Sequence, residues 1–157
     1  MKILSITAQK PNSTGSGVYL TELVRQFARD GHEQAVVAGV YEEDRIELPE
    51  GVGFFPVLFE SRELPYPIVG MSDEMPYRST RYCDMTREMT RQFQDAFLKA
   101  IEKAVDALEP DLILCHHLYL RCGYKRYGCR AGMSRKNRNI SSSQHFQHLQ
   151  GILCHIL

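Results

Sequence analysis

Two short stretches of the chain carry residue types that could do chemistry: Thr14-Gly15-Ser16-Gly17 and the pair His116–His117. The first stretch consists of small residues, so its backbone could approach an anion closely, and it directly precedes an amphipathic segment. The second stretch places two imidazoles next to each other at the end of an apolar run. Both are candidate ligand-binding positions if the fold brings them together.

The glycine stretch 14–17 matches no complete phosphate-binding motif. It is not a Walker loop, because no Gly-Lys-Ser/Thr follows it. It is not a full dinucleotide fingerprint either, because Leu20 stands where a third small residue should follow Gly15 and Gly17. Two interpretations stay open. The stretch binds an anion at a helix start, or Thr14 or Ser16 only caps that helix while the glycines shape the turn.

The elements that must position these residues begin with a β-helix-β unit. Residues 2–7 are a β-rich run, residues 17–30 have a helical pattern that ends at Gly31, and residues 35–40 form a second apolar run. The helix is expected to bury Val18, Tyr19, Leu20, Leu23, Val24, Phe27 and Ala28, and to expose Thr21, Glu22, Arg25, Gln26 and Arg29. This order predicts an α/β fold, with a Rossmann-like parallel sheet and helices on both faces.

Four further segments complete the predicted domain. Residues 51–59 are expected to add a third strand, and residues 85–108 have the strongest helical pattern of the chain. The segment 60–82 contains three prolines and three tyrosines, so we expect neither helix nor strand there. It either packs over the sheet edge or lines a binding cleft. Residues 112–115 are predicted to form a buried strand that runs into the two histidines.

The predicted topology places the two candidate stretches at one edge of the sheet. Ligands of parallel α/β sheets collect at the carboxyl ends of the strands, and both stretches follow such an end. Adjacent residues of an extended chain point to opposite faces, so His116 and His117 cannot both face one cleft if the strand is regular. The alternative is that one histidine is packed in the core and the other lies at the surface.

The composition limits the function further. The formal net charge is zero, which gives no reason to expect a nucleic-acid partner. No apolar run reaches the roughly 20 residues that a membrane span needs, and the start of the chain lacks a signal-peptide pattern. The five cysteines are odd in number and scattered, which favours reduced thiols and a cytoplasmic location.

The charge is distributed unevenly along the chain. Residues 1–120 carry all 19 acidic residues, whereas residues 121–157 carry seven basic residues and no acid. The tail 121–157 also lacks a clear helical or strand period until its last dozen residues. Its cysteines and histidines match no zinc-binding spacing, so no metal site is expected: Cys122, Cys129, His145, His148, Cys154 and His155. We interpret residues 121–157 as a basic tail that is frameshifted or poorly structured.

The first 40 residues resemble the N-terminal domain of GT-B fold glycosyltransferases of family 4. The resemblance rests on the opening strand and glycine loop, on Tyr19 followed by Glu22-Leu23, and on Gly31-His32-Glu33 before an apolar strand. Residues 110–120, a Pro-Asp followed by apolar residues and two histidines, are similar to a later strand of the same domain. The likeness covers residues 1–120 and is loose between these two regions.

This resemblance implies half of a retaining glycosyltransferase that uses a nucleotide-sugar as donor substrate and needs no metal or other cofactor. It implies that Gly15, Ser16 and Gly17 approach the donor phosphates or the acceptor. His116 would be the catalytic histidine near the donor sugar, with His117 as second choice. The acceptor would be a sugar, a lipid or another small molecule, and peripheral membrane contact is a further expectation.

The sequence after Leu120 does not follow the family's pattern, so we expect the chain to lack the donor-binding C-terminal domain and the rest of the N-terminal sheet. We therefore expect no turnover by the chain alone, and self-association through the unpaired sheet edge. Two other functions stay open. One is a stand-alone sugar- or phosphate-binding module without catalysis. The other is an oxidoreductase fragment in which Glu42, Glu43 or Asp44 holds a ribose.

Overall fold

The structure is a computed structural model that describes residues 1–70 and 74–116. Its elements along the chain are β1 (Lys2–Thr7), α1 (Gly15–Arg29), β2 (Glu33–Val40), β3 (Gly53–Leu58), β4 (Val69–Gly70), β5 (Thr80–Arg81), a 3-10 turn (Tyr82–Asp84), α2 (Arg87–Leu108) and β6 (Leu112–Cys115). Four strands form one parallel sheet in the order β3-β2-β1-β6. The predicted α/β fold with a Rossmann-like parallel sheet is confirmed.

The two helices cover opposite faces of this sheet. Leu20 and Val24 of α1 form a buried cluster with Val36 and Ala38 of β2. The alternate residues of β2 face the other side of the sheet. On that side a Cβ added to Gly39 would lie 2.9 Å from the ring of Phe59, and Phe59 lies against Phe93 and Phe97 of α2. Helices on both faces are therefore confirmed.

Local signals explain where the helices begin and end. Thr14 caps α1 and Thr86 caps α2, each accepting a hydrogen bond from a backbone amide three residues later. Helix α1 ends where predicted, because Gly31 adopts a left-handed conformation with φ of 75°. The amides of Gly31 and His32 then bond back to the carbonyls of Ala28 and Phe27, which is the Schellman arrangement.

The buried face of α1 differs from the predicted stripe. Val18 and Tyr19 were expected inside but are 47% and 62% exposed, whereas Thr21 was expected outside and is buried. The hydroxyl of Thr21 donates to the carbonyl of Gly17 at 3.0 Å, so its polar atom is satisfied within the core. The buried stripe is consequently rotated toward Gly17, Leu20, Thr21 and Val24.

The expectation for residues 60–82 is wrong in one respect, because β4 and β5 form a two-residue parallel ladder there. Such a short pairing leaves no periodic sequence signal. The segment packs against the domain, with Leu64, Tyr66 and Ile68 buried and the Tyr66 ring against Phe59. The Tyr66 hydroxyl also donates to the Met89 carbonyl of α2 at 2.6 Å.

Strand β6 lies at the edge of the four-stranded sheet and is not the buried strand that was predicted. Leu112 is exposed and the other three residues are half-buried. Its start is held to β1 by two hydrogen bonds: the Asp111 amide donates to the Lys2 carbonyl, and the Lys2 amide donates to the Asp111 carboxylate. An edge strand has only one neighbour, so the apolar run does not imply full burial here.

Candidate functional site

The loop between β1 and α1 is built by hydrogen bonds of its own side chains. The Ser13 hydroxyl donates to the Lys10 carbonyl at 2.7 Å, and Asn12 adopts a left-handed conformation that asparagine tolerates well. Thr14 is the helix cap: its Oγ1 accepts from the Gly17 amide at 3.1 Å and lies 3.0 Å from the Ser16 Oγ. Of the two predicted capping candidates, Thr14 therefore has that role.

The two glycines of this loop have different surroundings. A Cβ added to Gly17 would lie 2.4 Å from the Lys10 carbonyl oxygen and 3.1 Å from the Asn12 amide nitrogen. Gly17 is thus needed for the loop to pack on its own backbone. A Cβ on Gly15 would meet nothing within 4 Å. Gly15 is exposed and Ser16 half-exposed, so these two residues are the accessible part of the helix start.

His116 lies beside that helix start. Its backbone amide donates to the Ile6 carbonyl of β1 at 2.9 Å, which extends the β1–β6 register by one step. In that register His116 shares a sheet face with Leu114 and Ser5, the face that α1 covers. The His116 and Tyr19 ring centres are 6.2 Å apart in an edge-to-face arrangement. His117 lies outside the described residues.

A second group of polar residues at the same edge holds segment 60–82 against the sheet. Gln9 is completely buried, and its side-chain amide nitrogen donates to the Val69 carbonyl at 3.0 Å. The Tyr77 hydroxyl donates to the Gln9 side-chain oxygen at 2.9 Å. Burial raises the pKa of Tyr77 to about 12, so its hydroxyl stays protonated as a donor.

Lys10 fills the space between this segment and the end of β2. It forms an ion pair with Asp44, and the two side chains are only 21% and 10% exposed. Its ammonium group lies 5.2 Å from the Tyr41 ring centre and 5.7 Å from the Tyr77 ring centre, both distances typical of cation–π contacts. Tyr41 in turn donates to the Arg78 carbonyl and accepts from the Ile68 amide.

These contacts bear on the oxidoreductase alternative. Asp44 has one carboxylate oxygen on Lys10 and accepts from the Tyr41 amide with the other at 2.9 Å. Both of its carboxylate oxygens are therefore already engaged within the protein. Glu42 and Glu43 are exposed, and within the described residues neither carboxylate forms an ion pair.

The helix start and His116 were predicted as site residues from the sequence, whereas Gln9, Lys10, Tyr41 and Tyr77 were not. One signal was available, since a glutamine directly after a buried strand is an uncommon core residue that requires hydrogen-bond partners. Its partners lie about 60 and 68 residues away, which no local pattern reveals.

The described residues contain no group of three or more His, Cys, Asp or Glu side chains that could hold a metal ion. Within residues 1–70 and 74–116, neither helix has the length and apolar character to cross a bilayer. The candidate site consists of the backbone amides at the start of α1, the exposed ring of Tyr19 and the imidazole of His116, whose Nε2 atom is buried. A scan against protein-family models and a search of curated protein sequences give no match to this chain.

Proposed function

We propose that the chain is the N-terminal, acceptor-side domain of a retaining glycosyltransferase of the GT-B type that uses a nucleotide-sugar donor. The observation that carries this proposal is the contact between His116 and Tyr19, in the second turn of α1, at the carboxyl edge of the sheet. Sugar transfer requires this combination: polar groups that orient hydroxyls, and a partial positive charge for a phosphate leaving group.

We assign each residue one role. The imidazole of His116 hydrogen-bonds a sugar hydroxyl near the reacting carbon. The amides of Gly15 and Ser16, at the positive end of α1, face the diphosphate or the acceptor. Gly17 shapes the loop instead of touching the ligand, because its Cβ position is occupied by backbone. His117 is the second-choice histidine in this proposal.

The proposed reaction needs a second domain for the nucleotide half of the donor. We therefore expect the isolated chain to bind sugars weakly and to have no transfer activity. The proposed location is the cytoplasm, in keeping with the free thiols of Cys83 and Cys115.

Saturation-transfer NMR on the full chain tests the proposal, because it detects weak ligands. The probes are a panel of common mono- and disaccharides and, separately, UDP, GDP and NAD. We expect signals from one or more sugars that disappear in His116→Ala. The matched control is His32→Ala, which removes a half-exposed imidazole that contacts the Phe27 ring at the opposite, amino-terminal edge of β2.

The outcomes separate the possible functions. Sugar signals that persist in His116→Ala refute the role of that residue. Strong binding of NAD without sugar binding refutes the transferase proposal and favours the oxidoreductase. Transfer or hydrolysis of UDP-, GDP- or ADP-sugars by the chain alone contradicts the claim that a second domain is required.

A further inference from the structure

A groove of about 530 Å³ runs along the outer side of β3 and one side of α2. None of its lining residues belongs to the carboxyl-edge site described above. Its wall is mainly apolar and contains Phe54, Phe55, Leu58, Ala96 and Ala100. Leu58 is one of the large apolar side chains that remain exposed, at 42%.

The rim of this groove is basic. Arg62, Lys99 and Lys103 line it, together with the single acid Glu63. Lys99 and Glu63 pair with each other at 3.2 Å. Arg62 and Lys103 are exposed and form no ion pair with any residue of the described ranges 1–70 and 74–116. Two positive charges beside an apolar wall therefore remain available to an acidic partner.

Among the described residues no strand pairs with the outer edge of β3, and this edge is unsuited to the addition of a strand. The Phe59 amide donates to the Val40 carbonyl, so the backbone amides and carbonyls of every second residue of β3 point toward β2. The backbone groups of Pro56 and Leu58, which lie between them, point away from β2. Pro56 has no amide hydrogen to offer there. The outward carbonyl of Leu58 already accepts from the Ser61 hydroxyl at 2.8 Å. A partner must therefore bind through side chains.

We propose that this groove binds an acidic amphipathic helix of a partner protein. Its leucine-type side chains fill the apolar wall, and its carboxylates pair with Arg62 and Lys103. A concave apolar groove with a basic rim suits a helix that projects apolar side chains from one face and carboxylates beside them. It suits a planar bilayer less well, because a flat surface would leave the wall uncovered.

The test uses the full chain and a fluorescein-labelled peptide of leucine and glutamate, about five helical turns long, with leucines at i, i+3, i+4 and i+7. Fluorescence anisotropy measures the dissociation constant. Matched peptides carry glutamine or lysine in place of glutamate. We expect the acidic peptide to bind most tightly, and its affinity to fall between about 0.1 M and 1 M salt as the screening length shortens.

Two variants locate the binding. The double change Arg62→Glu and Lys103→Glu should raise the dissociation constant about tenfold, because two attractive contacts become repulsive. Arg87→Glu is the charge control, since Arg87 is exposed at the start of α2 and does not line the groove. Leu58→Ser should also weaken binding, whereas Val18→Ser, an equally exposed apolar position on α1, should not.

Three results would overturn the proposal. The first is equal affinity for the acidic and basic peptides. The second is the same loss in Arg87→Glu as in the double variant. The third is tight binding to vesicles that contain phosphatidylserine, together with no binding of the acidic peptide, which would make the groove a membrane-contact surface. Circular dichroism of each variant confirms that the fold is retained before binding is compared.

Discussion

Gly17→Ala separates a structural role of the glycine loop from a ligand-binding role. The new methyl group would lie 2.4 Å from the Lys10 carbonyl oxygen, so the loop backbone must move. Overpacking of this kind costs about 1–3 kcal/mol, against which alanine recovers less than about 1 kcal/mol of helix propensity. We expect the free energy of unfolding to fall by about 1–2 kcal/mol and the melting temperature by about 3–8 °C.

The control is Gly15→Ala, two residues earlier in the same loop. Its methyl group would enter open space, so we expect a change between zero and a gain of about 0.5 kcal/mol. Thermal and urea unfolding followed by far-UV circular dichroism measures both variants. Equal stability of the two alanine variants would refute the packing argument and would return Gly17 to the list of residues that touch the ligand.

Three further predictions concern buried hydroxyls and thiols. Tyr77→Phe leaves a buried amide oxygen without its donor and should cost about 1–2 kcal/mol in urea unfolding, whereas Tyr19→Phe, at an exposed ring, should cost almost nothing. Burial raises the pKa of both Tyr66 and Tyr77 to about 12 from 10.0, so their contribution to stability is complete below pH 10 and is lost as the pH rises toward 12. Urea unfolding across that range should show the loss, and a flat profile would contradict it. Burial also raises the pKa of Cys115 to about 11, so peptide mapping after iodoacetamide treatment should find the exposed Cys83 alkylated before Cys115. Alkylation of Cys115 before Cys83 would refute the prediction.

Much of the fold could be predicted from local patterns. The strand at residues 2–7, the left-handed turn at Gly31 and the helix that begins after Thr86 each have a signal within a few residues. The same signals predicted the sheet edge at which the candidate site lies, because a β-helix-β unit determines which strand ends lie side by side.

The remaining features depend on contacts between distant residues. Tyr19 was expected to be buried because it continues an apolar stripe, but it is exposed, and its ring contacts His116, which lies 97 residues later in the chain. Thr21 was expected to be exposed; its contact is instead local, because its hydroxyl donates to the Gly17 carbonyl one turn earlier and is thereby satisfied in the core. The short ladder of β4 and β5, and the bond from Tyr77 to Gln9, join residues too far apart in sequence for periodicity to reveal them.

The position of β1 inside the sheet has a consequence for the order of folding. One neighbour, β2, begins about 30 residues later, whereas the bonds from Lys2 to Asp111 span 109 residues. Closing the longer loop costs about 1 kcal/mol more in chain entropy than closing the shorter one. We expect the β1-α1-β2 unit to assemble first and β6 to dock late. During synthesis, one side of β1 therefore stays open to wrong partners until residue 115 has left the ribosome.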